Sequence, residues 1–327
     1  MTRAGTILLT GATGGIGSAI ATTLLDAGYR VLALVRDPAR LSELAASGGL
    51  ATSGELATPG GVATSGGLAT VDRPVGPGAM DGIAGLGEIT PVAANLPWPE
   101  IMTPAVPSAA VAAAGSAPAA AIPTVTPAEV RPTTVTHLDV TPAGFTPGSV
   151  IAIVADLARP ETLAAALPPI GELDAFVHCA AIAEVTTTAD STVELWRDTL
   201  NVNVASAAEL LRLLLPALRR SRGRVILINA APGLSPQGWP AYAASKAALR
   251  ELGDAVRDEE QPHGIRVTTI YPGATATELL RKVRTGFGSP YNPDRCLPPA
   301  AVASMVLTAL TAPPQAHLAE LSVLPAP

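Results

Sequence analysis

The chain has 327 residues, 48% of them hydrophobic, and a formal net charge of −6 at pH 7. An acidic chain excludes a broad nucleic-acid-binding surface, which would be basic. The sequence contains no uncharged apolar run of about 18 residues, so no membrane span is expected. Two cysteines are too few for a disulfide framework, and a core strand expected from residue 6 leaves no room for a signal peptide, so a cytoplasmic protein is expected. The four histidines show no metal-ligand spacing, so no metal site is expected.

The first predicted element is a short apolar strand at residues 6–10, which is followed at once by a glycine-rich turn. The turn reads Gly11-Ala12-Thr13-Gly14-Gly15-Ile16-Gly17. Helical spacing then runs from Ser18 to Gly28. Strand, glycine turn and helix are the context of a phosphate-binding loop, because glycines allow close backbone approach and a helix N-terminus offers free N–H groups to a pyrophosphate. The spacing is not the standard G-x-G-x-x-G, and a loop that serves only as a turn is the alternative.

The second predicted strand covers residues 30–35 and ends at Arg36. At this point of the standard fingerprint an acidic residue binds the ribose 2′-hydroxyl, whereas an arginine suits a 2′-phosphate. No acidic residue precedes Arg36, although Asp37 follows it. The pattern favours NADP(H) over NAD(H) as the cofactor, with a solvated arginine at a strand end as the alternative.

The composition changes at residues 46–148. Four six-residue copies of a Ser/Pro-Gly-Gly/Glu-Leu/Val-Ala-Thr repeat fill residues 47–70, and residues 71–148 are rich in Pro, Ala, Thr and Gly. Such sequence buries too little large apolar surface to offset its ordering entropy. We therefore predict a low-complexity, disordered insertion at 46–148 in a single domain formed by residues 1–45 and 148–327. A docking arm for a partner is the alternative.

From residue 150 onward, predicted strands and helices alternate. Strands are expected at 150–155, 175–179, 224–228, 266–271 and 318–324, and helices at 160–166, 192–220, 242–259 and 299–310. This alternation predicts an α/β fold, a Rossmann-like doubly wound parallel sheet with helices on both faces in three layers. Ligands bind such sheets at the carboxyl ends of the strands.

Tyr242 and Lys246 lie four residues apart on a predicted helix, so both side chains share one face, one turn apart. Lysine is scarce, because only Lys246 and Lys282 among the 21 basic residues are lysines. A neighbouring ammonium stabilises a phenolate and brings a pKa near 10 towards the range in which proton transfer is efficient. An ordinary surface helix with one aromatic and one cation is the alternative.

Together, these motifs resemble the short-chain dehydrogenase/reductase family, over about residues 1–45 and 148–327. Thr10-Gly11-x3-Gly15-x-Gly17 resembles the family's cofactor loop, and Tyr242-x3-Lys246 its active-site pair. Asp156-Leu157 resembles the family's adenine-contacting pair, and Ala180 matches the alanine of its Asn-Asn-Ala-Gly. Asn203 resembles the family's helix asparagine, and Pro272-Gly273-x3-Thr277 resembles the motif that holds the nicotinamide carboxamide.

The resemblance implies an NADP(H)-dependent oxidoreductase that interconverts a carbonyl and an alcohol on a small, apolar substrate. Tyr242 would protonate the forming alkoxide, and Lys246 would lower the pKa of Tyr242 and bond the nicotinamide ribose. Asn203 would hold a water that links Lys246 to solvent. The implied cofactor contacts are Gly11, Thr13, Gly15, Ile16, Gly17, Arg36, Asp156, Leu157, Ala180, Tyr242, Lys246, Pro272, Gly273 and Thr277. A homodimer or homotetramer paired through the long helices is implied as well.

The chain departs from the family at two places. His178-Cys179-Ala180-Ala181 keeps only the alanine of Asn-Asn-Ala-Gly. The catalytic serine is absent: counting from the preceding strand gives Ala230, and counting 13 residues back from Tyr242 gives Asn229. The Asn229 amide could donate a hydrogen bond to a substrate oxygen, whereas Ser235 falls in a predicted loop and is not expected to replace the serine.

These departures keep three other functions open. The first is a cofactor-binding protein with weak or no catalysis, the second an epimerase or dehydratase on the same fold, and the third a partner-binding protein that works through the insertion. Residues 274–298 are expected to form a mobile, partly apolar substrate lid, since Gly286 and Gly288 flank Phe287. A plain surface loop is the alternative there.

Overall fold

The computed structural model describes residues 5–40, 149–231 and 233–326. The described strands are β1 (Thr6–Thr10), β2 (Arg30–Val35), β3 (Val150–Val154), β4 (Ala175–His178), β5 (Arg224–Ile228), β6 (Arg266–Pro272) and β7 (Glu320–Val323). They form one parallel sheet in the order β3-β2-β1-β4-β5-β6-β7. The predicted α/β fold is therefore confirmed, while the insertion predicted at 46–148 lies outside the described residues.

The helices of the described residues lie on both faces of the sheet. They are α1 (Gly15–Asp26), α2 (Leu163–Ala166, preceded by a 3-10 turn at Pro160–Thr162), α3 (Val193–Leu200), α4 (Ser206–Ser221), α5 (Pro240–Glu260), α6 (Glu278–Gly286) and α7 (Pro299–Thr311). Further 3-10 turns lie at Gln261–His263 and Pro293–Arg295. No helix in the described ranges has both the length and the apolar character that a membrane crossing requires.

Alternation along the strands separates two cores. In β1, Ile7 and Leu9 pack into one cluster with α1 and α7, whereas Leu8 packs into the other cluster with α4 and α5. Successive side chains of a strand point to opposite faces, and a sheet covered on both faces needs apolar residues at every position. That requirement explains why the strands of the sequence read as unbroken apolar runs.

Two stretches differ from their predictions. The helix expected at 192–220 is continuous but contains a π turn at Asn201–Ala205, between α3 and α4. The loop expected throughout 274–298 is wrong for its first half, because α6 forms there. The hydroxyl of Thr277 accepts the Leu280 N–H at 3.2 Å and caps this helix, which satisfies one of its free N–H groups.

Candidate active site at the carboxyl edge of the sheet

The glycine turn after β1 is closed tightly on itself. Gly11 has a φ of +73°, and the Gly14 N–H donates to the Gly11 carbonyl at 2.9 Å. A Cβ at Gly17 would lie 1.9 Å from the Gly11 oxygen, and one at Gly11 would lie 2.7 Å from the Ala180 nitrogen. The first turn of α1 has no side-chain cap and no acidic residue. Its free N–H groups are thus available to an anion, which is the arrangement that a pyrophosphate requires.

One hydroxyl group links the carboxyl ends of the neighbouring strands β1 and β4. The Thr10 Oγ1 accepts the N–H groups of Cys179 and Ala180 at 3.1 and 3.2 Å. It also lies 3.1 Å from the Nδ1 atom of His178. Because the oxygen already accepts two hydrogens, it uses its own hydrogen to donate to Nδ1. The imidazole is therefore the tautomer with its hydrogen on Nε2, at the position where the family pattern has the first asparagine of Asn-Asn-Ala-Gly.

His178 is fully buried, and its Nε2 atom has no hydrogen-bond partner among the residues that the structure describes. Burial, with a further contribution from the Lys246 charge, lowers the pKa of His178 to about 3. In the unfolded chain the imidazole has a pKa of about 6.5. A folded-state pKa below the unfolded one contributes stability above about pH 6.5, and that stability is lost as the pH falls towards 3.

This linkage makes His178→Asn a pH-dependent substitution. At pH 7 we expect the variant to be less stable than the wild type, because the smaller amide leaves a cavity where the buried imidazole packs beside Phe176. As the pH falls from 6.5 to 4, the wild type should lose stability through His178 at about 1.4 kcal/mol per pH unit, and the variant should not. The free energy of unfolding of the variant should therefore rise by several kcal/mol relative to that of the wild type. Denaturant unfolding across this range measures the shift. The exposed His263→Asn is the matched control, and a pH-independent difference for His178→Asn would contradict the assignment.

Tyr242 and Lys246 lie on one face of α5, as predicted. The Lys246 Nζ is 5.7 Å from the centre of the Tyr242 ring and donates to the Ile228 carbonyl at the end of β5, at 2.9 Å. The Tyr242 hydroxyl receives no hydrogen bond from the described residues, and it is not among the enclosed unpartnered atoms. The hydroxyl oxygen is therefore not fully enclosed.

Burial overrides the effect that the sequence suggested for this pair. It raises the pKa of Tyr242 to about 12, whereas Lys246 was expected to lower it. Burial also lowers the pKa of Lys246 to about 8, so most of the ammonium remains charged at pH 7. The reason for the difference is desolvation, which disfavours whichever form is charged. The same cause raises the pKa of Cys179 to about 12 and keeps that thiol protonated.

Asn203 occupies the π turn and connects three segments. Its Oδ1 accepts the Ile182 N–H at 2.8 Å, and its Nδ2 donates to the Ile182 carbonyl and to the Ser245 hydroxyl, both at 2.9 Å. Ser245 in turn donates to the Tyr242 carbonyl at 2.7 Å. Both amide hydrogens are committed, so the side chain cannot donate to the water that the resemblance implied and can only accept from it through the second lone pair of Oδ1. Sequence reasoning missed Ser245, although its place next to Lys246 on α5 was a usable signal.

Asn229 also has a different partner from the one expected. Its Nδ2 donates to the Lys246 carbonyl at 3.1 Å, and its Oδ1 accepts the Ala230 N–H at 2.9 Å. The amide thus links β5 to α5. Only one of its two hydrogens remains for a hydrogen bond to a substrate oxygen. Ala230 offers no side-chain donor, and Ser235 is exposed in the following loop.

Two neighbouring strand ends hold the residues expected at the adenosine. Arg36 follows β2 and is exposed, with no partner among the described residues. The Asp37 carboxylate accepts the Ala39 N–H at 2.9 Å, and so it is engaged with the main chain. Asp156 follows the adjacent β3, where it accepts the Ala158 N–H at 3.1 Å. The Ile16 and Leu157 side chains pack against the two cores, one on each side of the sheet.

The Pro272-Gly273-x3-Thr277 motif reaches the glycine turn. The Gly273 N–H donates to the Val323 carbonyl at 2.7 Å, and the Pro272 carbonyl accepts the Ala231 N–H at 3.1 Å. A Cβ at Gly15 would lie 2.8 Å from the Thr277 Cγ2, so Thr277 contacts the turn directly. Gly11, Thr13, Gly15, Gly17, Ala180, Tyr242, Lys246 and Thr277 thus lie at one edge of the sheet.

Two family models and several known proteins match the sequence. A family model described as short chain dehydrogenase matches residues 134–287, and one described as NAD(P)H-binding matches residues 11–65. The mouse dehydrogenase/reductase SDR family member 7B is 33% identical over 145 residues, which are 42% of this chain and 45% of that protein. The glycine betaine reductase ATRR of Emericella nidulans is 31% identical over 180 residues, 53% of this chain and 14% of that protein. The matches therefore span less than half the length of these two relatives.

Solved structures show the same fold. An alcohol dehydrogenase from the archaeon Thermococcus sibiricus, complexed with 5-hydroxy-NADP, matches with a TM-score of 0.58 at 18% identity and covers 98% of this chain and 95% of that chain. The fold, the order of the motifs and both family models lead to one assignment. The chain belongs to the short-chain dehydrogenase/reductase family.

Proposed function

We propose that the protein is an NADP(H)-dependent oxidoreductase that interconverts a carbonyl and an alcohol on a small, apolar substrate. The observation that carries this proposal is the position of Tyr242. Its hydroxyl is unengaged within the described residues, one helical turn from the buried Lys246. The same edge of the sheet carries the uncapped N-terminus of α1. A proton donor and an anion site thus face one crevice.

The chemistry divides between the cofactor and these side chains. When bound, the nicotinamide cofactor supplies a hydride to the carbonyl carbon. Tyr242, with a pKa raised to about 12 by burial, is protonated at neutral pH and donates its proton to the forming alkoxide. The Lys246 ammonium then stabilises the phenolate that remains. In the oxidation direction Tyr242 would have to accept the alcohol's proton as a phenolate, whose charge the Lys246 ammonium would stabilise.

The cofactor loop fits a dinucleotide in several respects. The glycine turn lets the backbone approach a pyrophosphate closely, Thr277 closes its far side, and Gly273 and Pro272 continue the wall. Asp156 and Leu157 are proposed for the adenine, and Tyr242 and Lys246 for the nicotinamide ribose. Pairing of two or four copies through the long helices stays a prediction.

Arg36 is proposed to select NADP(H) through the 2′-phosphate. We expect Arg36→Gln to raise the KM for NADPH by about 10- to 100-fold, which corresponds to one charge-assisted hydrogen bond of about 1.5–3 kcal/mol, and to leave the KM for NADH nearly unchanged. Initial-rate kinetics with both cofactors measures the split. The exposed Arg212→Gln on α4 is the control. Equal effects of Arg36→Gln on both cofactors would contradict the selection.

The absent serine favours a second candidate, a cofactor-binding protein with weak or no catalysis. Ala230 cannot donate to a substrate oxygen, and Asn229 has one amide hydrogen committed to the Lys246 carbonyl. Loss of one oxyanion donor costs about 10²–10³ in rate. An assay of NADPH and NADH oxidation against ketones and aldehydes, run with a direct cofactor titration, separates the two. Turnover supports the reductase, and binding without turnover across the panel supports the second candidate.

A further inference from the structure

The ring of Trp239 covers the ring of Tyr242. Trp239 directly precedes α5, three residues before Tyr242, and its non-helical backbone brings its ring onto that of Tyr242. Their ring centres are 4.9 Å apart with an interplanar angle of 29°, and only 7% of Trp239 is exposed. This is an offset stack, one of the two arrangements that aromatic pairs prefer.

Trp239 is itself held from two other sides. Its Nε1 donates to the Ser235 carbonyl, and the edge of Phe287 meets its ring at 5.4 Å and 90°. Gly238 has a φ of +80°, and a Cβ there would lie 2.5 Å from the Phe287 Cε1. Phe287 directly follows α6, in the segment 274–298. The indole is thus in contact with both the candidate proton donor and this segment.

A third segment closes the same contact. The Thr186 N–H donates to the Gly238 carbonyl at 2.7 Å, and a Cβ at Gly286 would lie 2.8 Å from the Val185 Cβ. The chain after β4, the loop before α5 and the end of α6 therefore meet around Trp239. Close backbone approach at two glycines leaves little space for the indole to move.

The phenol has no comparable restraint of its own. No hydrogen bond from the described residues holds its hydroxyl, and the χ2 torsion of a tyrosine is broad. The plane of the ring is thus set by what packs against it, and Trp239 is the aromatic neighbour that packs there. A displacement of about 1 Å in a reacting group can cost about 10²-fold in rate.

We propose that Trp239 is a positioning residue, which sets the plane of the Tyr242 phenol and, through Phe287, couples that plane to the segment 274–298. The inference rests on the proposed function, since Tyr242 is the proton donor only there. It adds a residue that touches neither of the reacting atoms. It also gives the segment 274–298 a role in holding the phenol, because Phe287 restrains Trp239.

The test compares Trp239→Leu with Trp239→Phe. We expect Trp239→Leu to lower kcat by about 10²-fold with the KM for NADPH nearly unchanged, and Trp239→Phe, which can still stack, to recover most of that loss. Phe287→Leu should give a smaller loss of kcat. The control is Tyr29→Leu, an aromatic residue that packs near Gly5 at the opposite edge of the sheet, where kcat should not change. Equal kcat for Trp239→Leu and the wild type would overturn the proposal.

A second measurement separates this proposal from the proposed function. Thermal unfolding of Trp239→Leu, Phe287→Leu and the double variant forms a cycle that needs no activity. If the wild type reduces no carbonyl, the proposed function fails, and the cycle still decides whether the two rings are coupled. Additive shifts of the midpoint would overturn the coupling, and non-additive shifts would support it.

Discussion

Replacing Tyr242 by phenylalanine is expected to lower kcat for NADPH-dependent carbonyl reduction by about 10²–10⁴-fold, the usual contribution of a positioned general acid. The change removes only the hydroxyl and keeps the ring that stacks on Trp239 at 4.9 Å. Affinity for NADPH should therefore stay nearly the same. Turnover against a carbonyl panel, together with a fluorescence titration of NADPH, measures both quantities.

Tyr271→Phe is the matched control for this prediction. Burial raises the pKa of Tyr271 to about 12 as well, but its hydroxyl donates to the Glu320 Oε1 at 2.9 Å. The control should lose about 1.5–3 kcal/mol of stability, as is usual for a hydrogen bond to a charged group, and keep its turnover. Unchanged turnover in Tyr242→Phe would rule out the proposed mechanism, whatever its effect on stability.

The strands were the most predictable part of the fold. Leu8 and Leu9 face opposite cores, so the sequence shows an apolar run instead of an alternation, and the glycine turn marks where β1 ends. The helix α6 was missed because Gly286, Gly288 and nearby prolines suggested a loop. Its start depends on the Thr277 cap, a single local hydrogen bond that outweighs a weak composition signal.

The candidate site was predictable in position but not in its hydrogen bonds. Spacing alone put Tyr242 and Lys246 on one face of a helix. Asn203 bonds to residues 21 and 42 positions away, and the Asn229 amide nitrogen bonds to one 17 positions away, so local patterns carry no information on these contacts. The direction in which the Tyr242 pKa shifts was predicted wrongly for a related reason. Burial outweighs the neighbouring cation, and the depth of burial is a property of the whole fold.

The π turn belongs with these long-range effects. Asn203 bonds to Ile182 and to Ser245 at the same time, and the turn lies where that side chain meets both α5 and the chain after β4. Such bulges are frequent at functional sites. The amide of Asn203 thus holds α5, and with it Tyr242, against the loop that follows β4.

Gly17→Ala is expected to remove NADPH binding and to destabilise the fold. The new methyl group would lie 1.9 Å from the Gly11 oxygen and 2.6 Å from its carbonyl carbon. Both are backbone atoms, so no side-chain rearrangement relieves the clash, and the turn must open. Overpacking typically costs about 1–3 kcal/mol and sometimes more, and an opened turn no longer presents the N–H groups of α1 to a pyrophosphate. Thermal unfolding and an NADPH titration measure the two effects.

Gly171→Ala is the matched control for the glycine turn. A Cβ there meets no atom within 4 Å, and a compatible Gly→Ala change stabilises by about 0.4–1 kcal/mol through the unfolded state. The control should therefore unfold at the same temperature as the wild type or slightly above it, and bind NADPH normally. A methyl group inside the turn must displace the backbone between Gly11 and Gly17. If Gly17→Ala nevertheless kept its unfolding temperature and its affinity for NADPH, that closed turn could not be what holds the cofactor.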